Sequence, residues 1–168
     1  RANFFFPDSR MFWIKRAAKV ASSFIIQNNI DCVITTAPPF STHLIGYRVK
    51  LLTNVKWIAD FRDPWSDFFP FKQLPMTESI RKKHVKWERR CLFSADTVIT
   101  TSPSLTDSYL KINNNSYTVT NGYESLIDSE DADKFIIMYT GVMKSVQNPA
   151  NLWLVLNEIC NENKAFSK

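Results

Sequence analysis

Glycine is scarce in this chain: 168 residues contain 3, at Gly46, Gly122 and Gly141. None falls in a GxGxxG or GxxxxGK spacing, so these 168 residues hold no classical phosphate-cradling loop. The 3 cysteines, Cys32, Cys91 and Cys160, lie far apart with no CxxC, which argues against a disulfide scaffold or a zinc cluster. No window approaches the ~18 apolar residues of a membrane-spanning helix, and Phe4-Phe5-Phe6 is too short a run for a signal peptide. The reducing cytoplasm is the default compartment. The first methionine is Met11 and the chain stops at Lys168 just after a helical pattern, so both ends are expected to be cut from something longer.

What remains is a core-forming composition. Hydrophobic residues make up 45% and charged residues 22%, with 5 Trp and 13 Phe, which excludes a disordered tail. Lys plus Arg number 21 against 16 Asp plus Glu, a formal charge of +5.

Apolar positions at Ile14, Ala17, Ala18, Ala21, Phe24 and Ile25 recur at helical spacing, with Asp8 or Ser9 placed to cap the helix. Residues 30–36 are short, β-branched and apolar without alternation, as expected of a strand covered on both faces. Pro38-Pro39 ends it. Ser41 or Thr42 can cap a second helix to about Leu52, and residues 55–60 form another buried strand ending in charge at Asp60, Arg62 and Asp63. Residues 64–75 read as an ordered, aromatic loop. A helix from Thr77 to about Phe93 places Ile80, Val85, Trp87, Cys91 and Leu92 on one side. Lys82, Lys83, Lys86, Arg89 and Arg90 fall in an arc of roughly 120° opposite. Residues 96–101 and 117–120 are further strands, and between them Ser102-Pro103-Ser104 opens a short helix through Leu110. From Asn121 to Asp133 the chain carries Glu124, Asp128, Glu130, Asp131 and Asp133 without a basic residue, and residues 122–134 read as an acidic linker. Beyond it residues 135–140 form a fresh buried strand, Gly141 a tight turn, and Asn148-Pro149 opens a helix through about Ile159.

Alternating strands and helices predict an α/β, Rossmann-like fold with a mostly parallel sheet and helices on both faces. Ligands in such sheets bind at the carboxyl ends of strands. The polar and glycine-bearing segments collect there: Thr36, Pro38 and Pro39; Asp60, Arg62 and Asp63; Ser102; Asn121 and Gly122; and Gly141.

The string Ile34-Thr35-Thr36-Ala37-Pro38-Pro39-Phe40-Ser41-Thr42-His43, followed by Trp57-Ile58-Ala59-Asp60-Phe61-Arg62-Asp63-Pro64-Trp65, resembles bacterial group 1 glycosyltransferases, retaining enzymes of the GT-B fold. Ala95-Asp96-Thr97-Val98-Ile99-Thr100-Thr101-Ser102-Pro103, Thr120-Asn121-Gly122-Tyr123 and Tyr139-Thr140-Gly141 continue the likeness in order, which spans about Pro7 to Leu156. The resemblance implies residues 1–121 as the later part of an N-terminal, acceptor-side domain, 122–134 as the interdomain linker and 135–168 as the start of a donor-binding domain. It also implies a nucleotide-sugar donor, a sugar or lipid-linked acceptor and no metal or other cofactor. The family's Gly-rich loop and paired glutamates are not among these residues, so the chain alone is expected to be inactive. Where many relatives carry a histidine after the second of these segments, this chain has Arg62 and Asp63, and after Gly141 it has Val142, Met143 and Lys144 in place of Arg and Lys.

On these grounds Asp60, Arg62 and Asp63 are the catalytic candidates, and Thr36, Pro38, Pro39, His43, Ser102, Asn121, Gly122, Gly141 and Lys144 the substrate-binding ones. Asp60, Arg62 and Asp63 read otherwise as an ion-pair knot at a strand end. His43 lies inside a helix, where a lone histidine is more often packed than catalytic. The basic face is a solvated surface or a peripheral contact with anionic membrane, helped by Trp65, Phe68, Phe69 and Phe71. Two rivals stand beside the transferase: a non-catalytic basic module for nucleic acid or anionic membrane, and another GT-B enzyme such as a sugar epimerase. Nucleic acid is the less expected partner, because no recognised motif accompanies the charge. A sheet edge left exposed would favour a homo-oligomer.

Overall fold

The computed structural model describes residues 3–124 and 136–163. The chain divides into two compact units, Arg1–Glu124 and Ser125–Lys168.

In the first unit, strands β1 (Cys32–Ala37), β2 (Lys56–Phe61), β3 (Thr97–Thr100) and β4 (Ser116–Thr118) form one parallel sheet in the order β1-β2-β3-β4. The helices are α1 (Ile14–Gln27), α2 (Ser41–Thr53), α3 (Phe69–Lys72), α4 (Glu78–Ser94) and α5 (Pro103–Leu110). This is the expected α/β, Rossmann-like arrangement of a parallel sheet flanked by helices. Its two faces are covered unequally. Stepping one strand at a time in one direction with right-handed crossovers brings the connecting helices to a single face. That face carries Thr35, Ala37, Trp57, Ala59, Phe61, Val98 and Thr100, all buried. Ile34 and Tyr117, on the other face, are 63% and 56% exposed. Burial along β1 therefore alternates, and the expectation of cover on both sides of that strand is corrected. A β-branched run has the same appearance in either setting.

Two local devices shape the helices. Helix α1 begins at Ile14 after a 3-10 turn at Met11–Trp13, not at Asp8 or Ser9. The Asp8 carboxylate instead accepts the Ser41 amide at 2.8 Å, so it caps α2 from 33 residues away. Neither Ser41 nor Thr42 serves as that cap. Gly46 lies within α2 where a Cβ would stand 2.5 Å from Trp57 Nε1 and 2.7 Å from Thr35 Cγ2. Only glycine lets the helix lie directly on the buried indole.

Residues 64–75 are mostly loop, as expected, but contain the single turn α3. Trp65 is fully buried and stacks on Phe40 at 5.0 Å, so it belongs to the core and not to a surface patch.

In the second unit the expected strand is not formed at residues 136–140, where Ile136 and Met138 are 62% and 76% exposed. No other strand is present among this unit's described residues, so the segment has no ladder to join. Phe135 and most of the acidic linker lie outside the described residues. Helix α6 (Ala150–Glu162) forms as expected and buries none of its residues.

Candidate functional site at the carboxyl ends of the strands

Parallel register brings Thr36 of β1 beside Asp60 of β2 and Asp60 beside Ile99 of β3. Thr36 Oγ1 donates to Asp60 Oδ2 in a short hydrogen bond. One residue past β2, the Arg62 amide donates to the Ala37 carbonyl at 3.2 Å, and its guanidinium donates to the Pro38 carbonyl at 3.1 Å. The Arg62 carbonyl accepts from Thr101 Oγ1 at 2.9 Å. Three strand ends are thereby tied into one polar rim.

Arg62 pairs with neither Asp60 nor Asp63 among the described residues, so the rim is not an ion-pair knot. Asp60 and Asp63 are half-buried and Arg62 is exposed. A carboxylate that accepts and a guanidinium that donates, side by side on an accessible edge, suit a hydroxyl next to an anionic group. Pro39 turns the chain into α2, its carbonyl accepting from the Thr42 amide at 3.1 Å. The Ser102 carbonyl accepts from Thr100 Oγ1 and Thr106 Oγ1 at 3.0 and 3.2 Å, which holds the entry to α5.

Other candidates stand apart. His43 is fully buried, with its ring 4.1 Å from that of Phe61, and does not reach the rim. Trp57 Nε1 donates to Thr35 Oγ1 at 2.8 Å, which leaves the Thr35 hydroxyl proton for His43 Nδ1 at 2.9 Å. The His43 proton then sits on Nε2, which has no partner. Burial lowers its pKa to about 3, so the ring is a neutral core group. Asn121 and Gly122 are exposed beyond β4, neither at positive φ. Nothing lies within 4 Å of a Cβ built on Gly122.

Gly141 and Lys144 belong to the second unit. Gly141 does adopt the left-handed region, at φ 128°. The Lys144 carbonyl accepts the Gln147 amide at 2.8 Å, and its amide donates to Gln147 Oε1 at 3.3 Å, at the start of a 3-10 turn.

The most connected carboxylate escaped the sequence reading. Glu88 on α4 is buried and accepts from the Trp65 amide at 3.0 Å, the Ser66 amide at 3.1 Å and Tyr109 Oη at 2.8 Å, and in a short bond from Ser66 Oγ. Burial and Glu88 together raise the Tyr109 pKa, keeping that hydroxyl a donor. Glu88 thus anchors the segment that leaves the rim after Asp63. Its signal was periodicity: His84 and Glu88 share a face with Cys91 and Leu92, and polar residues on an apolar face need partners. Val85, expected on that face, is 44% exposed.

The five residues of the basic face have different neighbours. Lys83 lies over the Phe6 ring at 4.1 Å and Arg90 over Trp87 at 5.1 Å. Lys82, Lys86 and Arg89 line a cavity of about 630 Å³.

Among the described residues no group of three His, Cys, Asp or Glu side chains is placed to hold a metal, and no helix is long and apolar enough to cross a membrane. No protein-family model matches the chain, and no curated protein matches it significantly.

Proposed function

We propose that this chain is part of a glycosyltransferase that moves a sugar from a nucleotide-diphospho-sugar to a hydroxyl acceptor with retention, with its first unit on the acceptor side. The observation that carries the reading is the convergence of Thr36, Asp60, Arg62 and Thr101 at the carboxyl end of a parallel sheet. Asp60 accepts a hydrogen bond from a sugar hydroxyl, and Thr36 holds that carboxylate in place. Arg62 faces a phosphate or carboxylate of donor or acceptor, its position set by the Pro38 carbonyl. Asp63 is the second acceptor on the same edge. The reading needs no metal. It places the protein in the cytoplasm, where nucleotide sugars are made, and Gly141 and Lys144 on the donor side.

Saturation-transfer NMR on n-octyl β-D-glucoside, kept below its micelle threshold, tests the acceptor edge. Transfer to the sugar protons in the wild type, at least tenfold weaker in Asp60→Asn and Arg62→Ala, supports the reading. Transfer that is absent, or equal in all three proteins, refutes it.

A further inference from the structure

Helix α4 and the loop before it enclose two cavities, of about 630 Å³ and about 470 Å³, that share Phe71 and His84 as walls. Both volumes are in the range of small-molecule sites. Their linings differ. The smaller is walled chiefly by Phe5, Pro7, Phe71, Leu74 and Met76; Asp8 and Ser9 also line it, and the Asp8 carboxylate oxygens accept from the Arg10 and Ser41 amides. The larger is walled by cations of α4 and by Lys72.

Not every cation there is available. Lys72 is paired with Asp67 at 2.5 Å, and Lys82 reaches Glu78 at 3.9 Å. Arg81 donates to the carbonyls of Lys72 and Leu74, at 3.3 and 2.7 Å, and so holds the loop onto the helix. Lys86 and Arg89 have no ion pair among the described residues. With Lys82 they repeat at i, i+4 and i+7, within an arc of roughly 60°. Glu78 is the acid in the lining, and Lys82 offsets it.

Between the apolar and the cationic walls stands His84, 1% exposed. Its Nδ1 lies 3.0 Å from Trp65 Nε1, and an indole can only donate, so Nδ1 accepts and the proton is on Nε2. That N–H has no partner among the described residues. Burial first and Lys83 second lower the pKa to about 4, with Asp8 opposing, so the ring is a neutral donor near pH 7. A buried donor facing two cavities, with greasy walls on one side and unpaired cations on the other, matches a ligand that is apolar at one end and anionic at the other. Inorganic phosphate would leave the apolar wall unfilled, and a neutral lipid would gain nothing from the charges of Lys86 and Arg89.

We propose that these adjoining cavities bind one single-chain amphiphile with an anionic head, its chain along Phe71, Leu74 and Met76 and its head held by His84, Lys86 and Arg89. The site stands apart from the Asp60 rim and does not depend on the transferase reading. Isothermal titration of the 168-residue chain with dodecyl phosphate below its micelle threshold tests it. Expected is one-to-one binding, weakened at least tenfold in Lys86→Glu/Arg89→Glu and several-fold in Leu74→Ala, with the His84 ring resonances moving on addition. All three altered residues are exposed, and thermal unfolding verifies that the variants fold. Inorganic phosphate and n-dodecyl β-D-maltoside are expected to bind at least tenfold more weakly. Equal binding of either, binding to phosphatidylglycerol vesicles without one-to-one dodecyl phosphate binding, or indifference to charge reversal would overturn the proposal. None of these outcomes bears on octyl glucoside at the sheet rim, so the two readings fail separately.

Discussion

His43 and His84 occupy neighbourhoods built from the same parts. Each is buried, each is linked to an indole, through Thr35 in one case and directly in the other, and each is kept neutral by burial. The surroundings divide them. His43 is sealed between α2 and the sheet, where Gly46 lets the helix touch Trp57, and its remaining N–H meets nothing. His84 is roofed by a loop that Glu88 holds at its start and Arg81 near its end, and it walls two cavities. Helix-on-sheet packing leaves no room for a ligand. A loop pinned to a helix by a few side chains leaves a space beneath it.

The largest expected effect breaks the open side. Glu88→Ala strips four donors of their acceptor, two of them in fully buried bonds, and should cost about 3–5 kcal/mol, a large share of a typical domain's stability. Chemical denaturation measures it, and a loss under about 1 kcal/mol would show that the loop is held by other contacts. Next is the closed side. Gly46→Ala forces a methyl into Trp57 and should cost about 1–3 kcal/mol by overpacking, with changed indole fluorescence. An unchanged melting temperature would contradict the close approach.

Acid should erode both sides. Each histidine binds its proton more weakly when folded than the ordinary value of 6.5, so the unfolded chain takes up more protons as pH falls below that value. Stability is then full above about pH 6.5 and declines toward pH 4 for His84 and pH 3 for His43. His43 alone should contribute a loss of about 2 kcal/mol by pH 5. Urea midpoints that do not change between pH 7 and pH 5 would refute the neutral buried rings. The smallest effect separates the two. Lys83→Ala removes a cation beside His84 and should raise that pKa while leaving His43 unmoved, as read from their ring proton shifts. A parallel shift of both would mean that Lys83 acts through something they share.

Much of this arrangement was legible from residue order. Strand and helix alternated clearly enough to yield the α/β class, and the carboxyl-end rule pointed to Thr36, Asp60 and Arg62, which the register then joined. Long-range partners were not legible. Asp8 has the chemistry of a cap, but proximity in sequence assigned it to the wrong helix. Glu88 and His84 sat in a basic, polar stretch where their burial could be inferred only from the spacing of Cys91 and Leu92. The apolar run at residues 136–140 had the composition of a strand, yet strand formation needs a neighbour, which composition does not supply.

The polar rim is the feature on which the proposed sugar recognition turns. Its most direct measurement is an amide shift map of the isotope-labelled chain titrated with n-octyl β-D-glucoside, repeated on Asp60→Asn/Arg62→Ala. Shifts that concentrate at residues 60–63 and Thr101 and vanish in the double variant are the predicted result. A map that leaves those amides still, or that is the same in both proteins, would contradict it.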